Sequence, residues 1–103
     1  VLDVRFIPNP YWVTELRHLT GRDEPVAEYV FRQDGAAEFV DGYAALLAPA
    51  LPAYIEELKP NVTIAVGCTG GKHRSVASAE RISAHLRAAG FKVSTQHRDL
   101  GRE

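Results

Sequence analysis

Val62-Thr63-Ile64-Ala65-Val66-Gly67-Cys68-Thr69-Gly70-Gly71-Lys72-His73-Arg74-Ser75 is the stretch that decides how this chain of 103 residues folds. Val62 to Val66 is a short apolar, β-branched run, the pattern of a buried strand. Gly67 to Arg74 is a polar, glycine-rich loop. Ser75 to Ala89 then sets Val76, Ala79, Ile82 and Leu86 on one face at helical spacing, and Gly90 is the residue type that ends a helix. Phe91 to Gln96 reads as another strand. Strand, loop, helix, strand is a crossover unit, whose fixed handedness places both strands in one parallel sheet. The expected fold class is therefore α/β, a small three-layer domain with a short, mainly parallel sheet.

Upstream, Leu2 to Phe6 alternates apolar and polar residues as a half-buried strand does, and Pro8-Asn9-Pro10 stops it. If it joins the sheet in parallel, Asn9 and His97-Arg98 flank the crevice beyond the strand ends, beside the 67–75 loop. Tyr11 to Glu24 reads as a loop-rich connection with one short helical turn. Pro25 suits the first turn of a brief helix through Tyr29. Phe39, Val40, Tyr43, Leu46 and Leu47 mark a helix over Ala36 to Leu47, and a further helix is expected from Pro52 to Leu58, ending before Pro60. Trp12 is expected in the core or at an interface. No repeat or low-complexity tract divides residues 1–103, which read as one domain.

Composition is ordinary for a soluble domain, with 46% hydrophobic and 24% charged residues. No apolar run approaches the roughly 20 residues that cross a bilayer, so no membrane partner is expected. The single cysteine leaves neither an internal disulfide nor a cysteine-rich metal framework, and a reducing cytoplasm is the expected location. The net charge of −1 hides an asymmetry. Residues 1–71 hold five Lys/Arg against ten Asp/Glu, whereas residues 72–103 hold seven against three. The second part can attract an anion. For Arg81 and Arg87 taken alone, a solvated helix face explains as much.

The loop carries every residue type that a phosphate requires. A helix N-terminus offers unpaired amides and partial positive charge. Gly70 and Gly71 let the backbone curl into a nest, Lys72, His73 and Arg74 add cationic groups, and Thr69 and Ser75 add hydroxyl donors. A nucleotide P-loop does not fit: only three residues separate Gly67 from Gly71-Lys72, and His73 stands in place of the magnesium-binding hydroxyl. Cys68 to Ser75 does fit C-x-x-G-x-x-R-S, which resembles the signature of cysteine-dependent phosphatases. Those enzymes also need a general acid, for which Asp23 is the available candidate. A third reading is a phosphate bound without chemistry, and a plain glycine turn tightened by a helix cap explains Gly70, Gly71 and Ser75.

Across nearly its full length the chain resembles the C-terminal domain of the RapZ family, RNase-adapter proteins long described as P-loop-containing nucleotide-binding proteins. The matching tracts are Asp3-Val4-Arg5-Phe6-Ile7-Pro8-Asn9-Pro10, Leu19-Thr20-Gly21-Arg22-Asp23-Glu24-Pro25-Val26, Ile64 to Val76, and His97-Arg98-Asp99-Leu100. The resemblance implies a domain like a sugar-phosphate-binding subdomain of phosphofructokinase, acting as a regulator that senses glucosamine-6-phosphate. It implies oligomer formation, and in some lineages a small RNA and an RNase as partners. It also implies a nucleotide site in an N-terminal kinase-like domain that these residues lack, and a family strand ahead of Asp3. The ending Gly101-Arg102-Glu103 departs from the Lys/Arg-rich tail of RNA-binding relatives.

These readings combine into a phosphosugar-binding regulatory domain without cofactor, metal or catalytic residues. Thr69, Gly70, Gly71, Lys72, His73, Arg74 and Ser75 are expected around the phosphate. Asp3 and Asn9 face them, where a carboxylate and an amide suit an ammonium and sugar hydroxyls. The plainer roles are an ion pair with Arg5 for Asp3 and a turn hydrogen bond for Asn9. His97 and Arg98 are expected on a basic rim, and a homo-oligomer is the expected assembly. The alternative is a phosphatase with Cys68 as nucleophile.

Overall fold

Two very short strands pair in parallel: β1 (Leu2–Asp3) lies beside β2 (Val66–Gly67), with Leu2 opposite Val66 and Asp3 opposite Gly67. The structure, a computed structural model, describes residues 1–57 and 61–101. Leu2 N–H donates to Ala65 O at 2.7 Å and Val4 N–H to Gly67 O at 2.9 Å, so the pairing extends a little beyond the strands. The expected strand over Leu2 to Phe6 is cut short because its backbone turns. Arg5 N–H donates to the Asp3 carboxylate at 2.9 Å, and Ile7 N–H bonds back to Val4 O at 3.2 Å. A 3-10 turn at Pro10–Trp12 follows.

Helices supply the rest: α1 (Glu24–Arg32), α2 (Ala36–Leu47), α3 (Leu51–Glu57) and α4 (Arg74–Ala88). The periodicity gives α2 its observed bounds, whereas α1 runs a turn longer than expected, and Gly35 at φ +79° makes the corner between them. The expected end of α3 at Leu58, before Pro60, lies outside the described residues. Gly90, at φ +97°, ends α4 in a Schellman motif: its N–H bonds Arg87 O, and Phe91 N–H bonds Leu86 O, both at 3.0 Å.

The core is built of small and branched residues. Leu2, Val4 and Ile7 from the N-terminal segment meet Val26 and Val30 of α1, Ala36 and Val40 of α2, and Ala77, Ile82 and Leu86 of α4. The stripe of α2 that is fully buried is Ala36, Val40 and Ala44; Phe39 and Leu46, expected inward, are exposed. Trp12 is not in the core, being 75% exposed. A polar brace ties α2 to α4. Asp41 accepts from Arg81 at 2.7 and 2.8 Å and sits 2.7 Å from His85 Nε2, while the Arg81 guanidinium lies over Phe31. The Arg81 hydrogen bonds hold the Asp41 carboxyl down to about 2. Arg81 is thus a brace between elements rather than part of a solvated face.

Phe91 to Gln96 is the main departure. The segment alternates half-buried and exposed residues as extended chain does, but it forms no ladder among the described residues. Polar side chains of α4 hold it instead. Ser83 Oγ meets Thr95 Oγ1 at 2.6 Å, and Arg87 donates to Val93 O and Thr95 Oγ1 at 3.2 Å each. The molecule is a small α/β domain with a short parallel two-stranded sheet, and no helix among the described residues is long and apolar enough to cross a membrane.

Candidate functional site

The loop between β2 and α4 begins where the sheet delivers it, because the pairing of Asp3 with Gly67 sets the first strand's end beside it. His73 is the residue ahead of α4, and no side chain caps the helix there. The amide of Ser75, in its first turn, donates to Cys68 Sγ at 3.4 Å, and the thiol is 3.2 Å from Ser75 Oγ. Burial pushes the Cys68 thiol up. The Ser75 hydroxyl, the Ser75 and Gly71 amides and the charge of Arg74 more than offset this, and the thiol lies below its ordinary value.

Thr69 and Gly70 are exposed, and a side chain built at Gly70 would meet no atom within 4 Å. Only Gly71 of this pair needs its freedom, at φ +70° and with the Asp99 side chain packed where a Cβ would stand. Lys72 is half-buried and has no ion-pair partner among the described residues. These four positions form the open side of the loop.

His73 and Arg74 point the other way. Arg74 is only 5% exposed; its Nη1 donates to Arg5 O at 3.0 Å and Ile7 O at 2.8 Å, and Nη2 to Thr69 Oγ1 at 3.3 Å. It clamps the turn after β1 to the loop, with Nε buried and unpartnered among the described residues. His73 is buried, and burial holds the imidazole below its ordinary value, against the pull of nearby backbone groups of Arg17 and Leu19. The facing residues take the plainer roles open to them. Arg5 binds both oxygens of Asp3 at 2.7–3.0 Å and holds the carboxyl down to about 2, and Asn9 Oδ1 accepts Tyr11 N–H at 3.1 Å.

At the rim, Arg98 is exposed and paired with Asp99 at 3.2 Å, but the His97 side chain is only 4% exposed, with Nε2 2.6 Å from Glu80 of α4. Asp23, the candidate acid for a phosphatase, accepts Thr20 N–H at 2.8 Å in the turn ahead of α1. A shallow groove of about 340 Å³, lined by Gly21, Phe31, Ala77, Glu80 and Arg81 among others, lies between α1 and α4 and includes none of the loop. Two residues escape a reading by residue chemistry. Gly21 packs on the first turn of α4 and donates its N–H to Lys72 O at 2.9 Å, and Asp99 packs on Gly71. The tracts Thr20-Gly21-Arg22-Asp23 and His97-Arg98-Asp99-Leu100 were their only trace in the sequence.

The class so defined is a small α/β domain in which a glycine-rich loop leads a strand into the N-terminus of a long helix. A family model described as the RapZ C-terminal domain matches residues 1–101, and the chain belongs to that family. It is 62% identical over its whole length to a nucleotide-binding protein of Clavibacter michiganensis subsp. michiganensis, covering 36% of that protein. It is 57% identical, again over its whole length, to nucleotide-binding proteins of Thermobifida fusca and Streptomyces avermitilis, covering 35% and 34% of them. The chain therefore spans about a third of the length of the curated relatives it matches.

Proposed function

We propose that this domain is a regulatory sensor that binds a phosphorylated amino sugar, such as glucosamine-6-phosphate, through the Gly67–Ser75 loop. The observation that carries the reading is the open side of that loop. Exposed Thr69, the unobstructed Gly70 and Lys72, which has no ion pair among the described residues, all stand ahead of a helix whose N-cap residue, His73, makes no side-chain capping bond. Gly70, Gly71 and Lys72 meet the phosphate, with Thr69 and Ser75 as hydroxyl donors. Arg74 and His73 shape the loop from beneath, and Asn9 and Asp3 border it. The family supports a regulator over an enzyme, with a small RNA, an RNase and further copies of the chain as partners in the cytoplasm. The nucleotide bound by the relatives belongs, on this reading, to the part of their length outside this chain.

Calorimetry with glucosamine-6-phosphate tests it. Lys72→Ala should weaken binding about tenfold or more, the scale of one charge-assisted hydrogen bond. Equal affinity in wild type and variant would remove the loop from the site.

The environment of Cys68 favours one second reading, a cysteine-dependent phosphatase. Its depressed thiol lies against the Ser75 amide as a phosphatase nucleophile would. Against it stands Asp23, engaged in its own turn. A lowered pKa means that the thiolate persists below the ordinary thiol range, so iodoacetamide should label Cys68 at pH values where a free thiol of pKa about 8.5 is inert. Wild type should release no phosphate from glucosamine-6-phosphate or an aryl phosphate, and Cys68→Ser should keep its ligand affinity within about 1 kcal/mol. Turnover that disappears in Cys68→Ser would replace the sensor with the enzyme.

A further inference from the structure

His73 stands at the joint between the glycine-rich loop and α4 and is 5% exposed. Its carbonyl accepts Ala77 N–H at 3.0 Å, which opens the helix, and its imidazole lies among the backbone of Leu16, Arg17 and Leu19. That backbone belongs to the 13–19 turn, closed by Leu16 and Arg17 N–H on Val13 O at 2.9 and 3.1 Å. Two residues past the turn, Gly21 N–H donates to Lys72 O at 2.9 Å and fastens the same joint. The imidazole is therefore packed between two parts of the chain that meet only in the folded molecule. Its Nε2 is buried and makes no hydrogen bond among the described residues.

A neutral imidazole suits this place and an imidazolium does not. The neutral ring keeps one nitrogen without a proton, and Nε2 is free to be that nitrogen. An imidazolium donates from both nitrogens, so it would bury an N–H without an acceptor, beside the positive end of α4. The charged groups nearby add to that cost. Lys72 precedes the ring, and Arg74 follows it, its guanidinium buried against Arg5 O and Ile7 O. On the facing segment Arg17 is held 4.8 Å from the centre of the Tyr11 ring, Glu15 and His18 are exposed, and Thr20 N–H occupies the Asp23 carboxylate. No carboxylate pairs with His73 among the described residues, whereas His85 meets Asp41 and His97 meets Glu80. Burial and Lys72 accordingly hold the imidazole below its ordinary value.

We propose that His73 is a pH-sensitive latch: the neutral imidazole holds the 13–19 turn on the start of α4, and acidification releases that turn and loosens the 67–75 loop. Opening brings the ring to water, where the proton is welcome. Because the closed form binds the proton less readily, the opened form takes it first. The latch is at full strength above the ordinary histidine value of about 6.5 and weakens as pH falls through it, by up to about tenfold in the opening equilibrium per pH unit. The weakening levels off once pH is low enough for the closed form to be protonated as well. The device goes beyond the phosphosugar reading and stands without it, since it concerns how the loop is attached rather than what the loop holds.

Amide hydrogen exchange followed by NMR tests this, read as protection factors so that the intrinsic pH dependence of exchange drops out. The Gly21 amide, whose acceptor is Lys72 O, reports on the joint. It should lose protection about tenfold between about pH 7.5 and 5.5, while amides inside α2 keep theirs. His73→Gln retains a polar side chain that cannot titrate, so it should flatten the Gly21 profile over the same range. The imidazole signals of wild type give a reading that needs no variant, and His73 should stay neutral to below about 6.5. A flat Gly21 profile in wild type, or one that stays steep in His73→Gln, overturns the latch. So does equal loss of protection throughout α2, or a His73 ring that takes its proton at or above the ordinary value.

Discussion

Gly21→Ala is expected to cost about 3 kcal/mol or more of folding stability, at the upper end for overpacking. The added methyl would collide with the amide nitrogen of Ala77 and the carbonyl oxygen of His73, and would stand 2.8 Å from Val76 Cβ. Two of those three obstacles are backbone atoms in the first turn of α4, so no rotamer change relieves them. The turn cannot retreat easily either, because Gly21 N–H is bonded to Lys72 O and Arg74 is clamped to the turn after β1. A domain of this size holds only about 5–15 kcal/mol in total, so such a loss should lower the melting temperature by about 12–24 °C. Gly42→Ala is the contrast. That glycine lies inside α2 with nothing within 4 Å of its missing Cβ, and alanine there should stabilise by about 0.5–1 kcal/mol. Urea titrations of both variants check the argument, and a loss below about 1 kcal/mol at Gly21 would show that α4 yields more easily than its contacts imply.

Arg74→Ala should reduce stability and ligand affinity together. Its guanidinium satisfies the carbonyls of Arg5 and Ile7 and reaches Thr69, all from a buried position. Removing it strands carbonyl oxygens that water reaches poorly, and each charge-assisted bond is worth about 1.5–3 kcal/mol, so a total near 3 kcal/mol is expected. Affinity for the sugar phosphate should fall by about 1.5–3 kcal/mol, because the loop loses its anchor to the strand end and a nearby positive charge. Arg74→Lys keeps the charge but lacks the planar fork that serves both carbonyls and Thr69, so it should recover less than half of the lost stability. Unfolding curves and calorimetry separate the effects. Unchanged stability would refute the clamp, and lost stability with full affinity would place the ligand elsewhere.

The division of roles within Lys72-His73-Arg74 was not visible in the chain. All three are cationic types at a helix start, and all read as candidate ligands. A helix advances about 100° per residue, so consecutive residues at its start face different surroundings. Which of them faces the strand end and which the solvent depends on how α4 docks on β1 and α1. Asp3 and Asn9 show the converse. Their local alternatives, an ion pair two residues along and a turn hydrogen bond, were legible, and these are the contacts they make. The side chain of His97, expected on the rim, is turned inward, with Nε2 2.6 Å from Glu80 of α4.

What the sequence determined by itself were the features that repeat or terminate locally. The bounds of α2 follow from its periodicity, the end of α4 from Gly90, and the strand–loop–helix order from the glycine-rich loop, although the buried strand expected over Val62 to Val66 shrinks to Val66–Gly67, with Val62, Thr63 and Ala65 exposed. The resemblance to the RapZ C-terminal domain likewise rests on tracts read directly from the chain. The tertiary structure alone decided that Leu2–Asp3 and Val66–Gly67 are the paired strand residues, that Phe91 to Gln96 lies along α4 rather than in a ladder, and that Gly21 and Asp99 press on the loop. The physical reason is range. Helix periodicity and glycine stops act within a few residues, whereas these contacts join positions tens of residues apart in the chain, whose meeting depends on how α4 packs against the rest of the core.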